Sequence, residues 1–355
     1  MKKAEEFINE TDNELQEMLL RNKPVIKVVG VGGAGNNTIN RLYEVGITDA
    51  ELIAVNTDAQ DLLKVHADSK VLIGKTISKG LGAGADPSIG RESAEEGKSE
   101  LKKAIKDANI IFVTCGLGGG TGTGAIPVIA RLAREQGILC TAVVTLPFSI
   151  EGKLRMKNAY EGFENLKEQV DSLIVISNDK LLDLVPTLPL NKAFEYADQL
   201  LANTIKGIVE LVTLPGLMNL DFADLKAIMK TSGFAMIGVG HSNSNKRAVE
   251  AADEAIHNPL LDVDVQRSSG ALINITGGPD MTLEEAKQVV ERITGHLSPD
   301  SKIIWGARID NSMERTIRLT LILTGVDSVI PSLDNFNDKR TKHLEEDMGI
   351  EFINE

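Results

Sequence analysis

Apolar positions along this chain come in two textures. Residues 25–31, 52–58, 71–74, 110–115, 138–148 and 172–176 are short, mostly apolar runs without an apolar–polar alternation. A strand covered on both faces reads this way, because neither side turns to water. Between them, residues 38–45, 89–106 and 125–136 fit the period of helices with one buried face. A further helix is expected to open near Glu151 and Arg155. Strand and helix alternating through residue 178 predict an α/β fold with a doubly wound, mostly parallel sheet. Its ligand crevice should lie at the carboxyl ends of the strands.

The pattern then changes. Residues 190–212 carry the longest helical stripe, with Phe194, Ala197, Leu201, Ile205, Ile208 and Val212 at steps of three and four. A helix of this length can run between two domains and be buried by both. Beyond it, strands are expected at 235–240, 271–276, 302–309 and 316–326, with helices at 246–257 and 283–294. The capping box Thr282-Leu283-Glu284-Glu285 opens the second helix. This is a smaller α+β domain without a phosphate loop, so a structural or interactive role is expected. The resulting division is an N-terminal extension (1–22), a nucleotide domain (23–190), the central helix (191–213), a loop and C-terminal domain (214–327), and a linker with a terminal peptide (328–355).

Composition narrows the partners. The chain has 355 residues, and its apolar and charged fractions of 42% and 25% are those of a folded protein. A net charge of −13 and an aromatic content of only 4% argue against a nucleic-acid surface. Cys115 and Cys140 sit in apolar runs and are expected to be buried and reduced, and the five histidines show no ligand spacing. With no signal peptide and no apolar run long enough to span a bilayer, a cytoplasmic protein is expected.

Three glycine-rich stretches follow expected strands. Gly30, Gly32 and Gly35 complete G-x-G-x-x-G between a strand and a helix, the dinucleotide fingerprint. Asn56 stands near the spot where such sites carry an acid, with Asp58 two residues on. A nicotinamide-dependent oxidoreductase of Rossmann type is the alternative this loop supports. Gly80, Gly82 and Gly84 lie in a mobile-looking loop that ends in Asp86-Pro87, a helix start. It either senses a terminal phosphate or simply connects. The third stretch, Gly116-Leu117-Gly118-Gly119-Gly120-Thr121-Gly122-Thr123-Gly124, holds six glycines. Glycine-rich turns also serve tight packing, yet a mere turn needs only one or two. Backbone N–H groups at a helix N-terminus form an anion site. Two such loops at neighbouring strand ends can wrap one nucleoside triphosphate.

Farther along, Glu151 and Arg155 either pair with each other or hold a ribose hydroxyl and a phosphate or base edge. Phe194 is either a core residue or a cover for a planar base. Asp198 is either solvated or accepts from guanine N1–H and N2–H₂, a donor pair that adenine lacks. Asn219, Asp221 and Asp224 follow Pro215-Gly216, and helix capping would explain one of them.

Together these residues resemble the tubulin/FtsZ family. The residues from Gly118 to Gly124 are similar to the tubulin signature. Asn56-Thr57-Asp58, Thr145-Leu146-Pro147-Phe148, Glu151-Gly152-Lys153 and Asn219-Leu220-Asp221-Phe222-Ala223-Asp224 match the FtsZ branch in order and spacing, over residues 24–327. Ala34 and the pair Asn36-Asn37 look archaeal. The resemblance implies a GTPase that polymerises head to tail and forms the division ring beneath the membrane. It implies GTP or GDP as ligand, with Mg²⁺ or a monovalent cation held by phosphates and water rather than by protein. Gly33, Ala34, Gly35, Asn36 and Asn37 would line the phosphates and the guanine. Gly84, Gly119, Gly120, Thr121, Gly122 and Thr123 would also contact GTP. Glu151 would meet the ribose and Arg155 the nucleotide, joined by Asn178, while Phe194 and Asp198 flank the guanine. Asn219, Asp221 and Asp224 would act on the neighbouring subunit's nucleotide. The terminal peptide at 344–353, apolar residues among acids, suggests a segment that folds onto a membrane-anchoring adaptor.

Hydrolysis needs a group that orients water and a cation that offsets charge. The G-x-x-x-x-G-K-S/T phosphate loop does not occur, and no carboxylate pair flanks the central glycines. The acids beyond the long helix are expected at the opposite end of the molecule. They would reach a nucleotide only across a head-to-tail contact, which is heterologous and generates filaments.

Overall fold

The computed structural model describes residues 24–184, 189–213, 222–230, 233–261 and 265–326. The expected N-terminal extension, linker and terminal peptide lie outside these residues, as do Asn219 and Asp221.

The apolar runs form the strands β1 (Ile26–Val31), β2 (Glu51–Asn56), β3 (Ser69–Leu72), β4 (Ile110–Gly116), β5 (Leu139–Leu146) and β6 (Ser172–Ser177). The second half adds β7 (Gly233–Ser242), β8 (Gly270–Gly277), β9 (Lys302–Ile309) and β10 (Ile317–Thr324). All ten share one sheet, in the order β3-β2-β1-β4-β5-β6-β7-β10-β8-β9. The first six are parallel. β7 joins β6 in parallel over Ser172↔Gly233 to Ile174↔Ala235. β10 then runs antiparallel between β7 and β8, and β9 closes the edge parallel to β8. The α/β architecture with a smaller α+β half is as expected. The hydrogen-bonded continuity between the halves is not visible in the sequence.

Side-chain alternation explains why the first runs are apolar throughout. Val29, Val31, Ile53, Val55, Ile111 and Val113 face one core, under the helices Thr121–Glu135 and Lys153–Lys167. Ile26, Val28, Leu52, Ala54, Ile110 and Phe112 face the other. In that second core lie Ala197, Leu201, Ile205 and Ile208 of the central helix, Leu190–Thr213, together with Ile237, Leu272 and Ile322 from the C-terminal half. The long stripe is therefore buried by both halves, as its length suggests. Phe194 leaves the stripe and is 39% exposed.

Local signals hold at several ends. Asp86 accepts the Ser88 N–H at 2.8 Å, and Pro87 opens the helix Pro87–Glu96. Thr282 and Glu285 form the expected capping box of Leu283–Thr294. The single helix expected over 89–106 is instead two, Pro87–Glu96 and Lys98–Ala104, meeting at Gly97. A Cβ there would lie 2.8 Å from Ile73 Cγ2, so only glycine lets the break close over the chain leaving β3. Both cysteines are free and buried, and desolvation raises their thiols well above the ordinary range, which leaves them inert. No helix among the described residues is long and apolar enough to cross a membrane.

Candidate functional site

β1 lies between β2 and β4, so the winding of the sheet reverses there and opens a crevice at the carboxyl ends of β1 and β4. Two helices begin at this point. Gly32–Glu44 leaves β1 directly, and Thr121–Glu135 follows the glycine run after β4. Neither has a side-chain cap, whereas Asp58 caps Ala59–Lys64 and Asp86 caps Pro87–Glu96. The first N–H groups of the two uncapped helices are left for an anion. The helix after β1 opens at Gly32 rather than near Thr38, so Gly33 to Asn37 belong to its first turns and not to a preceding loop.

Most glycines here serve packing, more than their number in the sequence suggests. A Cβ at Gly116 would sit 2.9 Å from Ala34 Cβ, one at Gly120 would sit 2.8 Å from Ala83 Cβ, and one at Gly124 would sit 2.0 Å from the Pro87 carbonyl oxygen. Gly122 is confined by Cys115 Cβ at 3.0 Å, and Gly118, at φ +97°, by Arg155. The fingerprint glycines behave alike: a Cβ at Gly30 would meet Gly35 O at 2.4 Å, and one at Gly35 would meet Thr114 O at 2.5 Å. The G-x-G-x-x-G match is thus a helix crossing its strands closely, which needs no dinucleotide. Gly119 and Gly33 are different. A Cβ at Gly119 would meet nothing within 4 Å, one at Gly33 only Asp61 Oδ2 at 3.9 Å, and neither has a positive φ. Packing and backbone geometry leave these two unexplained.

The loop after β3 is tied down rather than loose. The Thr57 carbonyl accepts from Gly82 N–H and Ser78 Oγ, each at 3.2 Å, and Ala59 N–H donates to Gly80 O at 3.0 Å. Gly84, at φ +56°, faces open space beside it. Asn56 ends β2 as an Asx turn: Oδ1 accepts the Asp58 N–H at 3.3 Å and the Thr57 N–H at 2.9 Å, and Nδ2 donates to Asp61 at 2.7 Å. The Thr57 and Thr121 hydroxyls meet at 2.5 Å, both buried. Thr123 Oγ1 accepts the Gly118 N–H at 2.9 Å, which fixes the turn of the central loop.

The outer wall comes from β5, β6 and the central helix. Glu151 closes the turn Ser149–Glu151; its Oε1 accepts the Phe148 N–H at 2.8 Å, and its Oε2 pairs with Arg155 at 3.0 Å. The pairing that the spacing allows is therefore made. Phe194 meets Phe148 edge to face, with centroids 5.0 Å apart. Asp198 lies one turn on, and burial pushes its carboxyl up to about 7; Glu195 pushes the same way, while the Arg41 guanidinium opposes both. Asn178 opens the helix Asn178–Leu184, buried, with Oδ1 unpartnered among the described residues. Asn36 is buried with both Oδ1 and Nδ2 unpartnered among the described residues. Lone core hydroxyls such as Thr141 share that condition, but a whole carboxamide without a partner is costlier, and it fits a polar ligand.

Asp224 stands apart. It is exposed in the first turn of Phe222–Lys230, and being inside the helix it is not the N-cap. No group of three or more His, Cys, Asp or Glu among the described residues can hold a metal. Nothing in the sequence marks Thr57 or Arg41 individually, although Thr57 lies within Asn56-Thr57-Asp58. Arg41 sits two and a half turns into its helix, where no local pattern marks it.

Residues 25–186 match the model of the Tubulin/FtsZ family, GTPase domain, and residues 233–327 that of the FtsZ family, C-terminal domain. The chain is 53% identical over 336 residues to cell division protein FtsZ 1 of Methanocaldococcus jannaschii, spanning 94% of this chain and 92% of that protein. It is 55% identical over 317 residues to cell division protein FtsZ 1 of Pyrococcus horikoshii, spanning 89% and 85%. An empty FtsZ dimer structure from M. jannaschii superposes with a TM-score of 0.86 at 54% identity, covering 89% of this chain and 92% of that one.

Proposed function

Because the chain belongs to the FtsZ family of tubulin-like GTPases, we propose that the crevice between β1 and β4 holds GTP, its phosphates along the two uncapped helix ends and its guanine beside Phe194 and Asp198. The protein is a cell-division GTPase that binds GTP and GDP and self-associates into filaments. Gly119 carries the site reading, since it is the one glycine of the central run that neither packing nor φ accounts for.

In this arrangement Gly33, Ala34, Gly35 and Asn37 offer backbone to the phosphates, and Asn36 turns its carboxamide to the nucleotide. Gly119, Gly120, Thr121, Gly122 and Thr123 take the β- and γ-phosphates, with Gly84 at the terminal one. Glu151, Arg155 and Asn178 border the ribose. A Mg²⁺ or monovalent cation is held by phosphate oxygens and water and offsets charge in the transition state. Asn219, Asp221 and Asp224 serve the nucleotide of the adjoining subunit. The protein works in the cytoplasm at the division site, linked to the membrane by an adaptor that takes the terminal peptide.

Pelleting with GTP against GDP, with phosphate release followed in the same tube, tests the site. GTP should pellet the chain and release phosphate above a threshold concentration. Gly119→Val, a change at open space, should keep its melting temperature and do neither; unchanged release by that variant refutes the placement. Removing residues 344–355 should leave turnover unaltered and abolish recruitment to the membrane. Normal localisation of the shortened chain would rule out the adaptor.

A further inference from the structure

We propose that Thr57 is a positioning residue for recognition of the terminal phosphate of GTP: its hydroxyl donates to Thr121 Oγ1 and so aims the Thr121 proton at that phosphate, while its carbonyl holds the loop after β3 at the same point. This rests on the crevice being the GTP site.

Thr57 follows β2 and is fully buried. Its N–H is fixed by Asn56 Oδ1 at 2.9 Å, and its carbonyl takes Gly82 N–H and Ser78 Oγ at 3.2 Å each. With the backbone held on both sides and a β-branched side chain, its hydroxyl has little freedom. Among the described residues its side-chain partner is Thr121 Oγ1, at 2.5 Å. Thr121 is the first residue of the uncapped helix, beside Gly32, so the pair sits where all three glycine-rich stretches meet.

Proton accounting decides the direction. Each hydroxyl owns one proton and only one can lie between the two oxygens. If Thr121 donates to Thr57, no proton faces the crevice. If Thr57 donates to Thr121, the Thr121 proton is released toward the crevice. A phosphate oxygen only accepts, so the triphosphate selects the second arrangement. The chain Thr57 to Thr121 to phosphate is then aligned head to tail, and each bond strengthens the next. The strength of the phosphate contact and the seating of residues 78–82 thereby depend on one side chain. GDP, which lacks the terminal phosphate, does not draw on it.

The experiment uses the full chain and four variants: Thr57→Val, Thr57→Ser, Thr121→Val and the double valine variant. GTP and GDP affinities are titrated at equilibrium, with melting temperatures in parallel. Thr57→Val should reduce the preference for GTP over GDP about tenfold, as for loss of a hydrogen bond that supports a charged acceptor. Thr57→Ser should restore it, and the double variant should be no worse than Thr121→Val. If Thr57→Val folds poorly, Thr57→Ala in the same titration replaces it. A normal preference in Thr57→Val beside a reduced one in Thr121→Val, or additive losses in the double variant, overturns the positioning role. A normal preference in Thr121→Val overturns the GTP-site reading itself.

Discussion

Replacing Asp221 with alanine should cut phosphate release per subunit about 100-fold or more, the scale of losing a group that orients or deprotonates an attacking water, while GTP binding and assembly persist. The central helix gives the reason. Phe194 and Asp198 lie near its beginning, beside the crevice, and it runs on to Thr213. At 1.5 Å per residue, the stretch from Asp198 to Thr213 measures roughly 22 Å. Asp221 and Asp224 follow that far end in the chain, and Asp224 is exposed. With GTP in the proposed crevice, a carboxylate beyond that far end would not be expected to reach its own subunit's γ-phosphate. A second subunit stacked head to tail would bring its acids to the first subunit's nucleotide, and turnover would then depend on assembly.

Mixing separates this from a site held within one subunit. Gly119→Val retains the acids but loses the nucleotide, and Asp221→Ala retains the nucleotide but loses the acid. Each alone should be nearly inactive. Together they should regain a measurable part of normal turnover, because a Gly119→Val subunit can cap the nucleotide face of an Asp221→Ala subunit. A mixture as inactive as its parts, or Asp221→Ala turning over normally, would sink the shared site.

How much of this the sequence shows depends on how local the cause is. The strands, the capped helix ends at Asp86 and Thr282, and the doubly buried central helix follow from period and turn chemistry within a few residues, and the structure has them. The break at Gly97 does not, because its cause is Ile73, distant in sequence. The glycines of the central run are instructive in the opposite sense. Their number points to a ligand, yet Gly116, Gly120 and Gly124 are each explained by Ala34, Ala83 or Pro87 from other segments. Gly119 alone in that run has neither a close neighbour nor a positive φ to explain it, and no counting along the chain distinguishes it. Thr57 escapes notice for the same reason, since its partner Thr121 is remote in sequence. Asp198 is legible by its spacing from Phe194, but the desolvation that sets its chemistry comes from the packed elements around it.

Asp198 should make GTP binding and protein stability respond to pH in opposite directions. Burial pushes its carboxyl from 3.8 up to about 7, with Glu195 adding to the rise and Arg41 resisting it. Guanine N1–H and N2–H₂ are both donors, and only the ionised carboxylate accepts both. Binding must therefore draw the proton off. GTP affinity should be at its plateau above pH 7 and fall as the pH drops, by at most tenfold per unit, until the bound carboxyl itself protonates. Stability without nucleotide runs the other way. A folded value above the unfolded one means that the native state binds more protons between pH 3.8 and about 7. This group's contribution is complete below pH 3.8 and is lost as the pH rises through 7, so acidification from 7 favours the free fold while it disfavours the complex. Asp198→Asn removes both responses and changes the base that fits. Its Nδ2 donates where guanine also donates, so GTP affinity should fall about 100-fold, the scale of an unpaired buried donor beside a lost charged acceptor. Xanthosine triphosphate, with a carbonyl at that position, should bind better to the variant than to the parent protein. Titrations of both nucleotides between pH 5.5 and 8.5, with melting temperatures of the free protein, check the set. GTP affinity in the parent protein that is flat across this range, or a variant that still prefers GTP, would remove Asp198 from the guanine.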